Sequence, residues 1–230
     1  MNIHGFQKTT LLDYPGKVAC TVFTAGCNLR CPFCHNAFLV TEIDPSNRFE
    51  HSELLDYMKK RRTILDGVCI TGGEPLLYAD TLDFIKEIKD IGLSVKLDTN
   101  GSFPDRLKNA INSGMIDYIA MDIKNSPKKY PLTVGIVDFD ISPIIESIEL
   151  IRKSNIQHEF RTTVVKEFHN IEDFAEIGTL ISGNEHYFLQ NFVDSGNLIS
   201  DGLSGVTPDE MRAFAAEAKK YVSDVEIRGI

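Results

Sequence analysis

No stretch of the chain approaches the roughly 18 consecutive apolar residues that a spanning helix needs, so a transmembrane helix is excluded. The opening MNIHGFQKTT places no apolar run behind a basic cluster. It therefore does not read as a secretory signal, and a cytoplasmic protein is expected. Low-complexity tracts, linkers and short repeats are missing, as are the compositions of disorder, collagen and coiled coil. Positive charge is scarce: 24 Lys and Arg stand against 33 Asp and Glu, a formal net charge of −9. Proteins that grip nucleic acid by its phosphates present a net basic face, so neither a nucleic-acid nor a membrane partner is expected. The short basic runs RRTILD and NSPKKYP read as solvated faces. An even set of cysteines is lacking too, which together with the missing export signal makes a disulfide framework improbable.

What remains is an ordinary globular composition, 230 residues with 43% hydrophobic and 25% charged side chains. A chain of this length buries roughly three-quarters of its unfolded surface and needs no staples. Apolar, β-branched runs of strand length recur at 18–24, 68–71, 94–98, 118–122, 158–165 and 186–190. Segments with helical spacing lie between them. One starts behind Ser52 as N-cap, one runs from Asp80 to a stop at Gly92, and two open on Pro104 and Pro143. IEDFAEIGTLIS and TPDEMRAFAAEAKKYV follow. Six strand–helix units predict an α/β fold with parallel strands, an incomplete (β/α)6 barrel, with a flat doubly wound sheet as the alternative. A single domain over 1–230 is expected, closing with a helix and tail from about 207. The unusual residues recur at the C-terminal ends of successive predicted strands: CNLRCPFC, GGEP, then DTNG at 98–101, then DIK at 122–124. That edge is where parallel α/β folds bind ligands, so these residues predict an active-site rim.

Cys27, Cys31 and Cys34 offer three thiolates from one short loop. Zinc with His35 as fourth ligand would need adjacent residues to reach one tetrahedral ion, whereas structural sites space their ligands two to four apart. A loop containing Asn, Arg and Pro makes a poor core. Iron–sulfur ligation suits thiolates, and three of them leave one iron of a cubane open. Cys20 and Cys69 fall in apolar strands and read as core residues.

The pattern C-x3-C-x-aromatic-C, with Phe33 as the aromatic, and TGGEP at 71–75 resemble the signature of the radical S-adenosylmethionine (SAM) enzymes. LLDYPGKVACTVFTAGCNLRCPFCHN (11–36), LDTNG (97–101), MDIK (121–124) and FRTTVV (160–165) narrow the resemblance to the activating enzymes of glycyl radical enzymes. Within these, the chain most resembles the activating proteins of anaerobic ribonucleoside-triphosphate reductase.

The resemblance implies a [4Fe–4S] cluster on Cys27, Cys31 and Cys34, with SAM on the open iron. Reductive cleavage would give methionine and a 5′-deoxyadenosyl radical, which takes hydrogen from a glycine of the partner enzyme. A flavodoxin or ferredoxin-type protein would supply the electron. Phe33, Cys34 and His35 would pass the adenine, and Gly72 and Gly73 would let backbone approach the cofactor. Glu74 would accept from its ammonium. Lys124 is implied at its ribose or carboxylate, and Arg161 at that carboxylate or a neighbouring aspartate, since an arginine in a strand core needs an anionic partner. Asp98, Thr99 and Asp122 would lie beside the carboxylate, where a monovalent cation could offset repulsion. Asn100, Ile123 and Gln190 complete the implied cofactor contacts. Asp13, which is also a turn residue in D-Y-P-G, and His35 would face the peptide substrate. The chain departs from the family at Lys166-Glu167, where a Pro-Gly turn is usual. It departs again near Phe192, where some members carry a histidine and where Gln190 and Asn191 could stand in. Two other functions fit parts of the pattern: a radical SAM enzyme of the deazapurine-synthase type acting on a small molecule, and a zinc-binding interaction module.

Overall fold

The computed structural model describes residues 1–229, and its eight strands form one sheet ordered as they occur in the chain. They are β1 (Ile3–Thr10), β2 (Ala19–Thr24), β3 (Gly67–Gly72), β4 (Ser94–Thr99), β5 (Tyr118–Asp122), β6 (Gln157–Val164), β7 (Gly183–Asn191) and β8 (Val222–Arg228). β1 pairs antiparallel with β2, and every later pairing is parallel. Among the described residues no pairing joins β8 to β1, so the sheet stays open. An order that never reverses excludes the doubly wound alternative, which requires a reversal at a switch point. The six predicted parallel strands are all present. Two were missed: β1, whose sequence IHGFQKTT is half polar, and β8, which occupies the tail behind the last helix. Both are edge strands, where one side of the backbone is unpaired and polar side chains are tolerated, so neither carries a clean apolar run.

Parallel neighbours need crossovers, and these are helical: α1 (His51–Arg61), α2 (Thr81–Ile91), α3 (Pro104–Asn112), α4 (Tyr130–Val134), α5 (Ser142–Lys153), α6 (Ile171–Leu180) and α7 (Pro208–Ala218). α6 and α7 start on capping boxes, Asn170 with Asp173 and Thr207 with Glu210. α2 stops at Gly92 in the left-handed conformation, φ 91°. The predicted cap Ser52 lies inside α1, where Glu50 holds the N-cap position without a side-chain bond. Asp80 is at the N-cap of α2 but spends its carboxylate on the N-terminal ammonium. α4 is a single turn with no sequence periodicity to announce it.

Side chains alternate across each strand. In β4, Val95 and Leu97 are fully buried in the hydrophobic core, while Lys96 and Asp98 pair with each other on the opposite, inner face. The apolar faces of β2 to β7 meet the helices in one core that includes Val22, Ile70, Leu97, Met121, Phe160 and Leu189. The inner face is left to polar and charged residues, and these line a cavity.

Candidate cofactor pocket

A cavity of about 430 Å³ occupies the inside of the open barrel. Its upper wall is the loop after β2, which carries Cys27, Cys31, Phe33, Cys34 and His35. The loop is pinned by backbone bonds on several sides: Arg30 N–H to Val134 O at 2.9 Å, Gly26 N–H to Leu39 O at 2.7 Å and Ser200 N–H to Pro32 O at 3.0 Å. Gly135, with φ 70°, lies so close that a Cβ there would sit 2.3 Å from Arg30 O. Burial pushes the Cys31 thiol up to about 11; burial first, and then the nearby Glu74 carboxylate, push Cys27 up to about 12. Such thiols ionise when a metal takes them. The Cys27 sulfur accepts from Leu29 N–H at 3.4 Å and from the Asn100 amide at 3.7 Å.

Among the described residues no three His, Cys, Asp or Glu side chains converge as one metal ion would require. Cys27, Cys31 and Cys34 all line the same cavity. Three thiolates from one loop are a donor set that fits a [4Fe–4S] cluster and would leave one iron without a protein ligand.

Below the cysteines a ladder of charges crosses β4, β5 and β6. Arg161 donates from Nη1 to Asp98 at 3.1 Å and from Nε to Asp122 at 2.9 Å. Lys124 Nζ bonds the other Asp122 oxygen at 2.9 Å, and Lys96 pairs with the other Asp98 oxygen. Burial alone would raise both carboxyl groups, but Arg161, seconded by Lys124 at Asp122 and by Lys96 at Asp98, holds them below the usual carboxylate range. Burial lowers Lys124 less than Asp122 and then Cys31 raise it, so it stays an ammonium. The ladder continues through buried Glu159 to Tyr118 at 3.1 Å and Arg228 at 3.1 Å.

Of the sequence-predicted residues, Asp13, Cys27, Cys31, Phe33, Cys34, His35, Gly72, Gly73, Asp98, Thr99, Asn100, Asp122, Lys124, Arg161 and Gln190 all line this cavity. Glu74 and Ile123 do not line it. Glu74 is fully buried beside the wall, not in it. Its carboxylate accepts Leu76 N–H at 2.9 Å, the Thr99 hydroxyl at 2.9 Å and Asn100 N–H at 2.7 Å, so it braces the DTNG turn and has no oxygen facing the cavity. Ile123 is fully buried and contributes backbone to strand pairing, donating to Arg161 O at 2.7 Å. Gly72 and Gly73 line the cavity, and packing against the chain itself also requires them to be glycines. A Cβ on Gly72 would lie 2.4 Å from Thr24 N, and one on Gly73 would lie 2.0 Å from Gly26 O. The missing side chains make room for the neighbouring strand and cysteine loop. The oxygens of Asp98 and Asp122 accept from Lys96, Arg161 and Lys124, while the Thr99 hydroxyl donates to Glu74 and accepts Gly101 N–H. Asn191 also turns away, exchanging two bonds with Val206 at 2.9 and 3.0 Å.

Sequence reasoning missed Thr71, Thr163 and Cys69 as lining residues, and Lys96 as part of the ladder. Cys69, read as plain core, sits 3.8 Å from Asp98 Oδ1. Lys96 was legible, because it stands two positions before Asp98 and so shares its face. Burial pushes Glu74 up to about 7, against the pull of its three donors. Glu74→Gln would set an amide N–H₂ against one of those donors. It should destabilise the metal-free protein by about 1–3 kcal/mol, read from its denaturant midpoint; a glutamate reserved for a ligand would leave that midpoint unchanged.

The sequence profile of the Radical SAM superfamily matches residues 21–181. A protein of Methanocaldococcus jannaschii that carries the name of a glycyl-radical enzyme activating enzyme is 31% identical over 235 positions, covering 99% of this chain and 96% of its own. The 7-carboxy-7-deazaguanine synthase of Thermoplasma acidophilum is 30% identical over 162 residues, covering 70% of this chain and 67% of its own. The pyruvate formate-lyase-activating enzyme of Clostridium pasteurianum is 28% identical over 186, with 76% and 75% covered. In fold, the chain matches Streptococcus suis SuiB bound to S-adenosylmethionine with a TM-score of 0.68 at 14% identity. That match covers 90% of this chain and about half, 49%, of SuiB. The chain is an enzyme of the radical SAM superfamily, similar along nearly its whole length to a glycyl-radical enzyme activating enzyme.

Proposed function

We propose that this protein activates a glycyl radical enzyme by removing a hydrogen atom from one of its backbone glycines, with anaerobic ribonucleoside-triphosphate reductase as the partner. The carrying observation is the cavity itself, which runs from the cysteine loop past the charge ladder to Asp13. Asp13 belongs to the loop between β1 and β2, at the opposite end of β2 from the cysteines, and accepts the Thr21 hydroxyl at 2.5 Å. A peptide reaching in from that end would meet Asp13 before the cofactor.

Cys27, Cys31 and Cys34 would hold a [4Fe–4S] cluster, which when bound would supply the electron for reductive cleavage of SAM to methionine and a hydrogen-abstracting 5′-deoxyadenosyl group. A flavodoxin or ferredoxin-type protein is the proposed donor of that electron. The chain's own residues position and exclude. Lys124 and Arg161, held by Asp98 and Asp122, present positive charge to the methionine carboxylate. Thr99 and Asn100, fixed from behind by Glu74, form the turn beside Cys27. Phe33, His35, Gln190 and the backbone of Gly72 and Gly73 flank the adenosyl end. Burial and then Lys124 lower His35, leaving it neutral near pH 7. The single sheet from Ile3 to Arg228 supports reading the chain as one catalytic unit, and the proposed place of its action is the cytoplasm.

Asp13→Ala should still form 5′-deoxyadenosine under strong chemical reduction, yet install less glycyl radical on the partner. Both products can be measured on one sample, and parallel loss of the two would place Asp13 in support of the cofactor or fold. The similarity to the deazaguanine synthase supports a second reading, a radical SAM enzyme of the deazapurine-synthase type acting on a small molecule in the same cavity. Tight saturable binding of such a compound, with no radical on any glycyl radical enzyme, would favour it.

A further inference from the structure

Leu11 and Leu12 stand in water, 71% and 90% exposed, the only two consecutive large apolar side chains left open among the described residues. The turn that presents them is tied down. Thr10 Oγ1 accepts Leu12 N–H at 3.2 Å and Asp13 N–H at 3.3 Å. Tyr14 is buried, its ring 6.1 Å from that of Tyr118 and so close to Gly67 that a Cβ there would lie 2.9 Å from it. Lys17 N–H closes the turn on Tyr14 O at 3.2 Å. A scattered exposed leucine is ordinary. Two side by side on a turn fixed at both ends are a small apolar surface held ready to be covered.

The place of the turn says what covers it. Asp13, next in the chain, lines the cofactor cavity, and Pro15 lines a second cavity of about 490 Å³. This lower cavity lies at the end of the barrel where β2, β5 and β6 begin, and Tyr118, Phe188 and Arg228 also line it. Glu159 in its wall is 3.9 Å from Arg161 in the wall of the upper cavity, so the two are neighbours. The turn edges both. A small substrate needs only the upper cavity. A glycine inside a protein chain brings its flanking residues with it, and those that follow it past Asp13 would meet the lower cavity and the two leucines. A protein loop is the occupant that uses all three.

We propose that Leu11 and Leu12 form the ledge on which the glycyl radical enzyme docks, covered by apolar side chains beside its reactive glycine. The proposal rests on the activity given under Proposed function and names the surface by which that partner is held. The leucines touch the partner and not the cofactor, so they govern how much partner is needed and leave SAM cleavage alone.

The test titrates the reconstituted, chemically reduced enzyme and SAM with anaerobic ribonucleoside-triphosphate reductase and reads the glycyl radical by electron paramagnetic resonance. The 5′-deoxyadenosine formed without reductase is measured beside it. Leu11→Ser combined with Leu12→Ser should need about tenfold more reductase for half-maximal radical formation. It should reach the natural yield at saturation and form the natural amount of 5′-deoxyadenosine alone. Leu12→Ser by itself should shift the half-maximal concentration in the same direction by less. Val137→Ser changes an equally exposed side chain in the segment after α4 and should match the natural protein. A double variant with the natural half-maximal concentration overturns the proposal. So does one that loses 5′-deoxyadenosine formation in parallel, because the leucines would then support the fold or the cofactor. The same shift in Val137→Ser overturns it too, since any exposed apolar side chain would then serve. If the natural protein puts no radical on the reductase at any concentration, the activity given under Proposed function falls, and the ledge with it.

Discussion

Arg161→Met should destabilise the metal-free protein by about 3 kcal/mol or more, at the lower end of what breaking a buried ion pair costs, because Lys96 and Lys124 remain. Arg161 is the only group that bonds both Asp98 and Asp122 among the described residues, at 3.1 and 2.9 Å. Removing it leaves two carboxylates facing each other across β4 and β5 with one lysine apiece. The pH dependence identifies the cause. Both carboxyl groups are held below their unfolded value near 4, so their contribution is fully present above that pH and is lost as pH falls through the depressed folded values. The deficit of Arg161→Met should therefore be full at pH 7 and shrink below about pH 4, as the carboxyl groups of the variant become neutral. Urea midpoints at the two pH values measure this. A variant as stable as the natural protein at pH 7 would show that the ladder does not hold the barrel together.

Cys31→Ala should leave a folded protein that cannot retain four irons. Cys31 is the most buried of the three loop cysteines, 8% exposed. Its neighbours in the loop are held by backbone bonds to Val134, Leu39 and Ser200 and not by the thiol. Deleting one sulfur should cost on the order of 1 kcal/mol of packing, while removing one of three thiolates leaves too few ligands for a stable cubane. Iron per chain, with far-ultraviolet circular dichroism on the same sample, reads both halves. Cys20→Ala provides the control: its thiol is buried in the core away from the cavity, so iron content should be unchanged. Full iron in Cys31→Ala would assign the cluster to other residues.

The parts of this molecule legible in its sequence are those written as local pattern. The six inner strands announce themselves because both of their edges are paired and one face is packed by helices, which demands apolar runs such as ACTVFT and YIAMD. The cysteine spacing and the polar residues behind each strand mark the rim. β1 and β8 were hidden because edge strands tolerate polar residues. Glu74 and Gly73 show a different limit. Their motif was legible, but the partner of each was not: Gly73 meets Gly26 O, 47 positions away, and Glu74 meets Thr99 and Asn100, 25 and 26 positions away. A short motif reports that a residue type is required at a place; the fold determines what it is required against. Lys96 falls between the two, because its face is given by the period of the strand while its charge acquires a purpose only beside Arg161 and Lys124.

The proposed activity takes a hydrogen atom from a glycine of another protein and leaves the radical there. It is tested most directly by incubating the reduced, reconstituted enzyme and SAM with anaerobic ribonucleoside-triphosphate reductase produced with α-deuterated glycine. A glycyl radical signal should appear on the reductase by electron paramagnetic resonance, together with deuterium in the 5′-deoxyadenosine formed. Formation of 5′-deoxyadenosine without deuterium, and with no radical on the reductase, would contradict it.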